Sequence, residues 1–231
     1  MASERLSGRR AEVRPRSWGS APGAIIGASA GLVLRHARDA DADAIIGMIS
    51  AVWSEYPGKR LVAAADMPEL LRPASAYAAC GGVFWVVEAA GKIIGTIALA
   101  PSAEPGVVEL QKLYVAREMR RNGLGSFLCY LVEREARERG AQAIELWSDV
   151  KLRDAHHRYE RLGYQRGEAL KTYNDTSGTV RYYYRKRLDP EWPERFDGDG
   201  TAHTLPKPLD RWQALLQPGA AAGAENGGIA P

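Results

Sequence analysis

One stretch of the sequence, residues 107–139, constrains the fold more than any other. Residues 107–115 form a β-rich run, and residues 125–139 repeat apolar side chains at helical spacing before Gly140. The connection contains Gly123 and Gly125, with three arginines beside them. A strand that turns through glycines into a helix presents unpaired backbone N–H groups and the positive end of the helix dipole. This stretch therefore predicts a binding loop for an anion such as a phosphate.

The residues around these glycines exclude two better-known phosphate loops. The Gly-Lys-Ser/Thr ending of a Walker sequence is missing, and Leu128 stands where the dinucleotide-binding fingerprint has its third glycine. The pattern that remains is Arg120-x-x-Gly123-x-Gly125. A tight turn with solvated arginines is the alternative interpretation, but the strand–loop–helix context favours an anion site.

Periodicity in the rest of the chain predicts a mixed sheet with helices. The expected strands are residues 32–36, 83–89, 92–100, 107–115, 143–149 and 179–188. One expected helix follows the acidic cluster at residues 39–43, and one or two short helices lie within residues 68–80. Two further helices are expected at residues 125–139 and 153–162. Strands in a meander, followed by alternating helices and strands, indicate an α/β (α+β) fold class.

Composition describes a soluble globular chain. Its 231 residues, 45% hydrophobic and 26% charged, suffice for one full-sized domain. Two distant cysteines, Cys80 and Cys129, indicate neither a disulfide framework nor a zinc site, so we expect a cytoplasmic location and no metal. No apolar run approaches the roughly 20 residues that cross a membrane, so we expect no membrane partner.

The formal net charge of +3 is unevenly distributed. Residues 1–20 hold five arginines against two glutamates, whereas residues 189–231 hold seven acidic residues against three basic ones. Because both ends lack periodicity, we expect a disordered basic arm at 1–31, a folded domain at 32–188, and an acidic, mostly disordered tail at 189–231. The arginines beside the glycine loop fit a polyanionic cofactor, and no folded basic face indicates nucleic acid.

Over about residues 32–188 the sequence resembles the GNAT superfamily of N-acetyltransferases. The Arg120-x-x-Gly123-x-Gly125 pattern corresponds to the family's acetyl-coenzyme A loop, and residues 88–95, 108–115 and 155–164 resemble its second and third strands, fourth strand and late helix. The resemblance implies a GNAT-like, mostly antiparallel central sheet of about six to seven strands flanked by helices. One departure is Leu152, where the family often has a coenzyme-contacting asparagine.

The resemblance also implies where the coenzyme binds. In the family, the loop amides hold the pyrophosphate and the end of the fourth strand pairs with the pantetheine arm. An amide of that strand would also stabilise the oxyanion of the tetrahedral intermediate. The implied coenzyme-binding residues are Leu113, Tyr114, Val115, Arg120, Arg121, Asn122, Gly123, Leu124, Gly125 and Ser126.

Two residues are expected to move protons. Tyr159 occupies the position from which family members protonate the leaving thiolate, and a phenol with a pKa of about 10 keeps its proton at neutral pH. Glu109 lies eleven residues before Arg120, the offset at which some family members carry a glutamate base. A tyrosine that only packs, and a glutamate that is only structural, are the alternatives. Asp149 is the reserve candidate for the base.

Strand alternation predicts the surroundings of the candidate base. Glu109 is expected to share one strand face with Gln111 and Leu113, opposite Leu110 and Tyr114.

These observations predict an acetyl-coenzyme A-dependent N-acetyltransferase. Acetyl would pass directly to a primary amine in a ternary complex, with a small molecule as the expected acceptor. A protein lysine or N-terminus as acceptor, or a non-catalytic acyl-coenzyme A-binding module, are the alternatives. We expect a monomer or a homodimer.

Overall fold

The computed structural model of the protein describes residues 25–29 and 31–188, which contain one eight-stranded sheet. The strands are β1 (Ile25–Ser29), β2 (Leu32–His36), β3 (Val83–Ala89), β4 (Lys92–Pro101), β5 (Val107–Val115), β6 (Ala143–Asp149), β7 (Gln165–Thr172) and β8 (Val180–Arg187). Their order in the sheet is β1-β2-β3-β4-β5-β6-β8-β7, and each neighbouring pair is antiparallel except β5 and β6, which are parallel. The predicted mixed, mostly antiparallel fold class is confirmed.

Helices cover both faces of this sheet. They are α1 (Ala42–Ser54), α2 (Ala63–Asp66), α3 (Pro73–Ala79), α4 (Leu124–Glu138) and α5 (Arg153–Arg161). Alternation along β3 shows the two layers, because Trp85 and Val87 pack in the α4 core whereas Phe84 and Val86 pack in the α1 and α3 core. In the described ranges, no helix is long and apolar enough to cross a membrane.

Two strands were missed by the sequence analysis. β1 lies inside the segment predicted to be a disordered arm, so the boundary at Leu32 is wrong for Ile25–Ser29, which pair with β2. β7 was missed because it is an edge strand whose residues are nearly all exposed, and it therefore lacks apolar alternation. The remainder of the predicted arm, and the whole predicted acidic tail, lie outside the described residues.

The parallel pair β5 and β6 separates partway along its length. Hydrogen-bonded register joins Val107–Glu109 to Ala143–Glu145 and then stops, while both strands continue. Beyond Glu109 the two strands therefore border a cleft at the middle of the sheet, and the ends of β5 and β6 line its walls.

A β-bulge in β5 changes the side-chain alternation at this cleft. Lys112 has a φ of 53°, the register with β4 shifts there, and Thr96 Oγ1 donates to the Lys112 carbonyl at 2.8 Å. As a result Leu113 packs in the α4 core together with Leu110, and Tyr114 turns toward the α1 core. The prediction that Leu113 shares the face of Glu109, with Tyr114 opposite, is therefore wrong.

Candidate active site

A cavity of about 280 Å³ lies where β5 and β6 diverge. It brings together five residues that the sequence analysis singled out, four of them on the strands and one on α5. These are Glu109, Leu113, Tyr114, Asp149 and Tyr159.

The predicted anion loop connects the end of β5 to the start of α4. Gly123 caps the helix with a φ of 82°, a conformation that costs a residue with a side chain about 1–2 kcal/mol. Its carbonyl accepts the N–H groups of Ser126 and Phe127 at 3.0 and 2.9 Å. The amides of Leu124 and Gly125 belong to the first helical turn, where no intrahelical acceptor is available. These amides are suited to an anion.

Arg120 has a structural role in this loop. Its guanidinium donates two 2.7 Å hydrogen bonds to the carboxylate of Glu55 at the end of α1, and its Nε donates to the Val115 carbonyl at 3.1 Å. The two hydrogen bonds from Arg120 to Glu55 lower the pKa of this carboxylate below its ordinary value. Arg120 thus ties the loop to α1 and to the end of β5, and its charge is already matched by a carboxylate.

Two further residues at this end were not singled out from the sequence. A Cβ on Gly125 would lie 2.9 Å from the Arg158 guanidinium, so this arginine of α5 packs against the first turn of α4. Ser148, on β6, lines the cavity with a buried hydroxyl that has no hydrogen-bond partner among the described residues. The Arg158 guanidinium suits a phosphate, and the Ser148 hydroxyl suits a polar group of an extended ligand.

Glu109 is a partly buried carboxylate on the cavity wall. Gln111 Nε2 donates to its Oε2 at 2.8 Å, and the Tyr77 hydroxyl in turn donates to Gln111 Oε1 at 2.7 Å. Burial raises the pKa of Glu109 above its ordinary value of 4.5, and the nearby charge of Glu145 adds to the rise. A carboxylate with a raised pKa is a stronger base, as general base catalysis requires.

Tyr159 reaches the same cavity from the opposite side. Its side chain is 5% exposed and packs against the rings of Tyr164 and Tyr184 at 5.8 and 5.7 Å. The end of α5 fixes its position, because Gly163 adopts a φ of 86° and the Tyr164 N–H returns to the Tyr159 carbonyl at 3.0 Å. Burial raises the pKa of the Tyr159 phenol, so it stays protonated at neutral pH.

Asp149, the reserve base, is occupied by an ion pair. Its Oδ2 lies 2.5 Å from Lys59 Nζ, and its Oδ1 accepts the Lys151 N–H at 2.9 Å. Lys59 is itself 5% exposed and also donates to the Thr179 hydroxyl at 2.6 Å. This geometry makes Asp149 the counter-ion of a buried lysine, so Glu109 is the better placed candidate for the base.

The cavity wall holds other residues that the sequence did not reveal as neighbours. They come from the loop after α1, from β8 and from the loop before it, and include Lys59, Tyr173, Thr179 and Arg181. No short motif connects segments so distant in sequence, so only the strand order brings them together. Within residues 25–29 and 31–188, no group of three or more His, Cys, Asp or Glu side chains could hold a metal ion.

Several known proteins resemble this chain in sequence or in fold. Residues 45–164 match the family described as "Acetyltransferase (GNAT) family". The chain is 38% identical over 105 residues to "Probable N-acetyltransferase camello" of Xenopus tropicalis, covering 43% of this chain and 48% of that protein. The chain therefore spans about half the length of that relative.

A bacterial relative is matched over most of its length. The chain is 30% identical over 136 residues to an "Aminoalkylphosphonate N-acetyltransferase" of Salmonella typhimurium, covering 57% of this chain and 84% of that protein. Among solved structures, a Salmonella typhimurium protein determined with its cofactor acetyl-CoA superposes with a TM-score of 0.55 at 19% identity, covering 69% of this chain and 95% of the other. That superposition supports the fold. The family match covers more than half of the chain, and the chain therefore belongs to the GNAT family of acetyltransferases.

Proposed function

We propose that the protein transfers acetyl from acetyl-CoA to the primary amine of a small molecule, by direct attack within a ternary complex. The observation that carries the proposal is the cavity at the diverging strands, which Glu109 and Tyr159 both line beside the end of β5. One wall supplies a base of raised pKa and the other a protonated phenol.

The coenzyme fits the α4 end of the site. The first-turn amides and the Arg158 guanidinium would hold the pyrophosphate, which extends the predicted set by one residue. Leu113, Tyr114 and Val115 would pair with the pantetheine arm. The bulge supports this role, because Lys112 and Leu113 together oppose a single residue of β4 and their backbone groups are not all used by the ladder.

The reaction needs a proton acceptor, because an amine with a pKa of about 10.4 is almost wholly protonated at pH 7 and only the neutral amine is a nucleophile. Glu109 accepts the amine proton, and the nitrogen lone pair then forms the new C–N bond with the thioester carbon. When the C–S bond breaks, the Tyr159 hydroxyl gives its proton to the coenzyme sulfur. The nitrogen still carries two hydrogens after the attack, and it loses one of them to the Tyr159 phenolate, which restores the phenol. The proton that Glu109 holds passes to solvent, so the whole reaction releases one proton.

Direct transfer is supported by the protonation of one cysteine and the position of the other, since neither is suited to carry the acetyl group. Burial raises the pKa of Cys129 to about 12, so this thiol is not available as a thiolate nucleophile at neutral pH. Cys80 is exposed and does not line the cavity.

A small acceptor is supported by hydrogen bonds that bridge one side of the cavity. The segment after α1 contacts the loop between β7 and β8: Asp66 Oδ1 accepts the Thr176 N–H at 2.9 Å, and the Arg60 N–H reaches Ser177 Oγ at 3.4 Å. Lys59 Nζ joins the same two segments, because it donates to the Thr179 hydroxyl at 2.6 Å. A bridged cavity suits a compact amine better than a protein segment.

The proposal is tested by thiol release from acetyl-CoA over a panel of small amines and over peptides with a free N-terminus or a lysine. We expect turnover with small amines, at least 100-fold slower in the Glu109→Gln and Tyr159→Phe variants. Greater efficiency with the peptides would contradict the small-molecule assignment. Acetyl-CoA binding without turnover on any amine would favour the non-catalytic module.

A further inference from the structure

The charged side chains of the cavity wall are mostly paired with one another. Lys59 contacts Asp149, and Lys112 Nζ lies 2.5 Å from the Glu69 carboxylate. These two ion pairs neutralise four of the eight charged residues that line the cavity. Because each pair is neutral overall, these four residues offer little net charge for an acceptor to recognise.

Two more cavity residues are satisfied by uncharged partners. Asp66 accepts the Val62 N–H at 2.7 Å and the Thr176 N–H at 2.9 Å. Lys151 Nζ donates to the Pro57 carbonyl at 3.1 Å. The Asp66 carboxylate is thus held by backbone N–H groups, and the Lys151 ammonium by a carbonyl of the loop after α1. Neither charge is directed at a ligand.

The remaining two, Glu109 and Arg181, have opposite charge and line the same cavity. Arg181 stacks on Tyr173, with its guanidinium carbon 3.9 Å from the ring centroid. Among the described residues, no carboxylate forms an ion pair with it at 4.0 Å or less. Asp149 lies opposite Arg181 in the β6–β8 register, but its two oxygens are taken by Lys59 and by the Lys151 N–H.

A second cation stands beside Arg181. Lys171 faces it across the β7–β8 register, and its Nζ lies 5.0 Å from the centroid of Tyr173. The tyrosine ring thus lies close to two cations at the β8 end of the cavity, while the candidate base lies on β5. Lys171 is near enough to Glu109 to act against the rise in its pKa, so the cationic end is within electrostatic reach of the base.

We infer that the acceptor carries an oxyanion, a carboxylate or phosphonate, in addition to its amine, and that Arg181 binds the oxyanion while the amine lies at Glu109. Lys171 adds positive potential at the same end. A guanidinium can offer two parallel N–H donors to either oxyanion, and Tyr173 holds its plane by stacking. The inference rests on the proposed function and names the class of small amine.

The experiment compares ω-amino carboxylates and aminoalkylphosphonates with their uncharged amide or ester analogues, by thiol release in wild type and Arg181→Gln. The readout is the selectivity ratio, kcat/KM for the anionic amine divided by that for its uncharged analogue. We expect wild type to prefer the anionic amine and Arg181→Gln to lower the ratio by about 10- to 100-fold, through KM. The KM for acetyl-CoA should remain unchanged.

Arg185→Gln is the matched control. Arg185 lies on the same strand and the same face, but its guanidinium is paired with Glu104 at 2.6 Å and it does not line the cavity. This variant should keep the wild-type ratio. Arg181→Lys keeps the charge without the fork of donors and should retain part of the selectivity. Thermal unfolding of each variant checks that the fold is intact.

Two failures are distinguishable. The inference is overturned, and the proposed function stands, if wild type acetylates the amines with an oxyanion and their amide or ester analogues equally. The same holds if Arg181→Gln slows both equally with the fold intact. If wild type binds acetyl-CoA but acetylates no amine of the panel, the proposed function itself fails.

Discussion

Replacing Glu109 with glutamine tests the proposed base with little change of shape. The substitution removes the negative charge and keeps a side-chain oxygen that can accept the 2.8 Å hydrogen bond from Gln111. In the folded protein the pKa of Glu109 is raised, so its ionised form costs stability as pH rises above the ordinary value of 4.5. Glu109→Gln removes that cost and should leave the free energy of unfolding at pH 7 unchanged or higher. Any loss of activity is then not a loss of fold.

The size of the expected loss follows from the protonation of the acceptor. At pH 7 only on the order of one part in 10³ of an amine with a pKa of about 10.4 is neutral. A positioned general base contributes about 10²- to 10⁴-fold, so we expect kcat/KM of Glu109→Gln to fall about 10²- to 10³-fold at pH 7. The variant depends on amine that is already neutral, and its rate should rise about tenfold per pH unit up to the pKa of the amine.

The assay is thiol release measured from pH 5 to pH 10. Wild type should lose activity as pH falls through the raised pKa of Glu109, because the base becomes protonated, and the variant should lack this limb. Glu145→Gln is the matched control: Glu145 is the register partner of Glu109, is held by Ser102 and Tyr183, and contributes to the raised pKa. Its rate plateau should be unchanged and its acid limb should move to lower pH. A Glu109→Gln variant with the wild-type rate and pH profile would refute the assignment.

Three other substitutions separate chemistry, coenzyme binding and stability. Tyr159→Phe should lower kcat about 100-fold and change the KM for acetyl-CoA by less than about twofold, and an unchanged kcat would remove Tyr159 as the acid. Gly123→Asp places a carboxylate where the coenzyme phosphates would bind, at a φ of 82° that aspartate tolerates better than most residues, so calorimetry should find acetyl-CoA binding at least about 100-fold weaker in a folded protein. Asp149→Asn leaves the buried Lys59 without its counter-ion and should lower the free energy of urea unfolding by about 3 kcal/mol, whereas Lys59→Met combined with Asp149→Leu should recover most of the loss. Equal stability of the single variant and wild type would contradict the structural role of Asp149.

The local parts of the fold were predictable because their signals are local. The helix α4 and its loop follow from apolar spacing and from Gly123, whose φ of 82° few other residues adopt. The strands with one or both faces buried follow from β-branched and apolar runs. β7 escaped prediction for the opposite reason, because an exposed edge strand needs no apolar pattern.

The details of the site depended on features that leave little trace in sequence. The bulge at Lys112 adds one residue to β5 and reverses the alternation, so strict period-two counting put Leu113 and Tyr114 on the wrong faces. The contact of Arg158 with Gly125 and the ion pair of Lys59 with Asp149 join segments that only the strand order brings together.

Direct transfer of acetyl to an amine is tested by measuring both products of one reaction. The full chain is incubated with acetyl-CoA and an amine, and free coenzyme thiol and acetylated amine are quantified together by thiol titration and mass spectrometry. We expect one thiol released per N-acetylated amine, with little release when the amine is omitted. Thiol release that does not depend on the amine, or acetyl-CoA binding with no acetylated product from any amine, would contradict it.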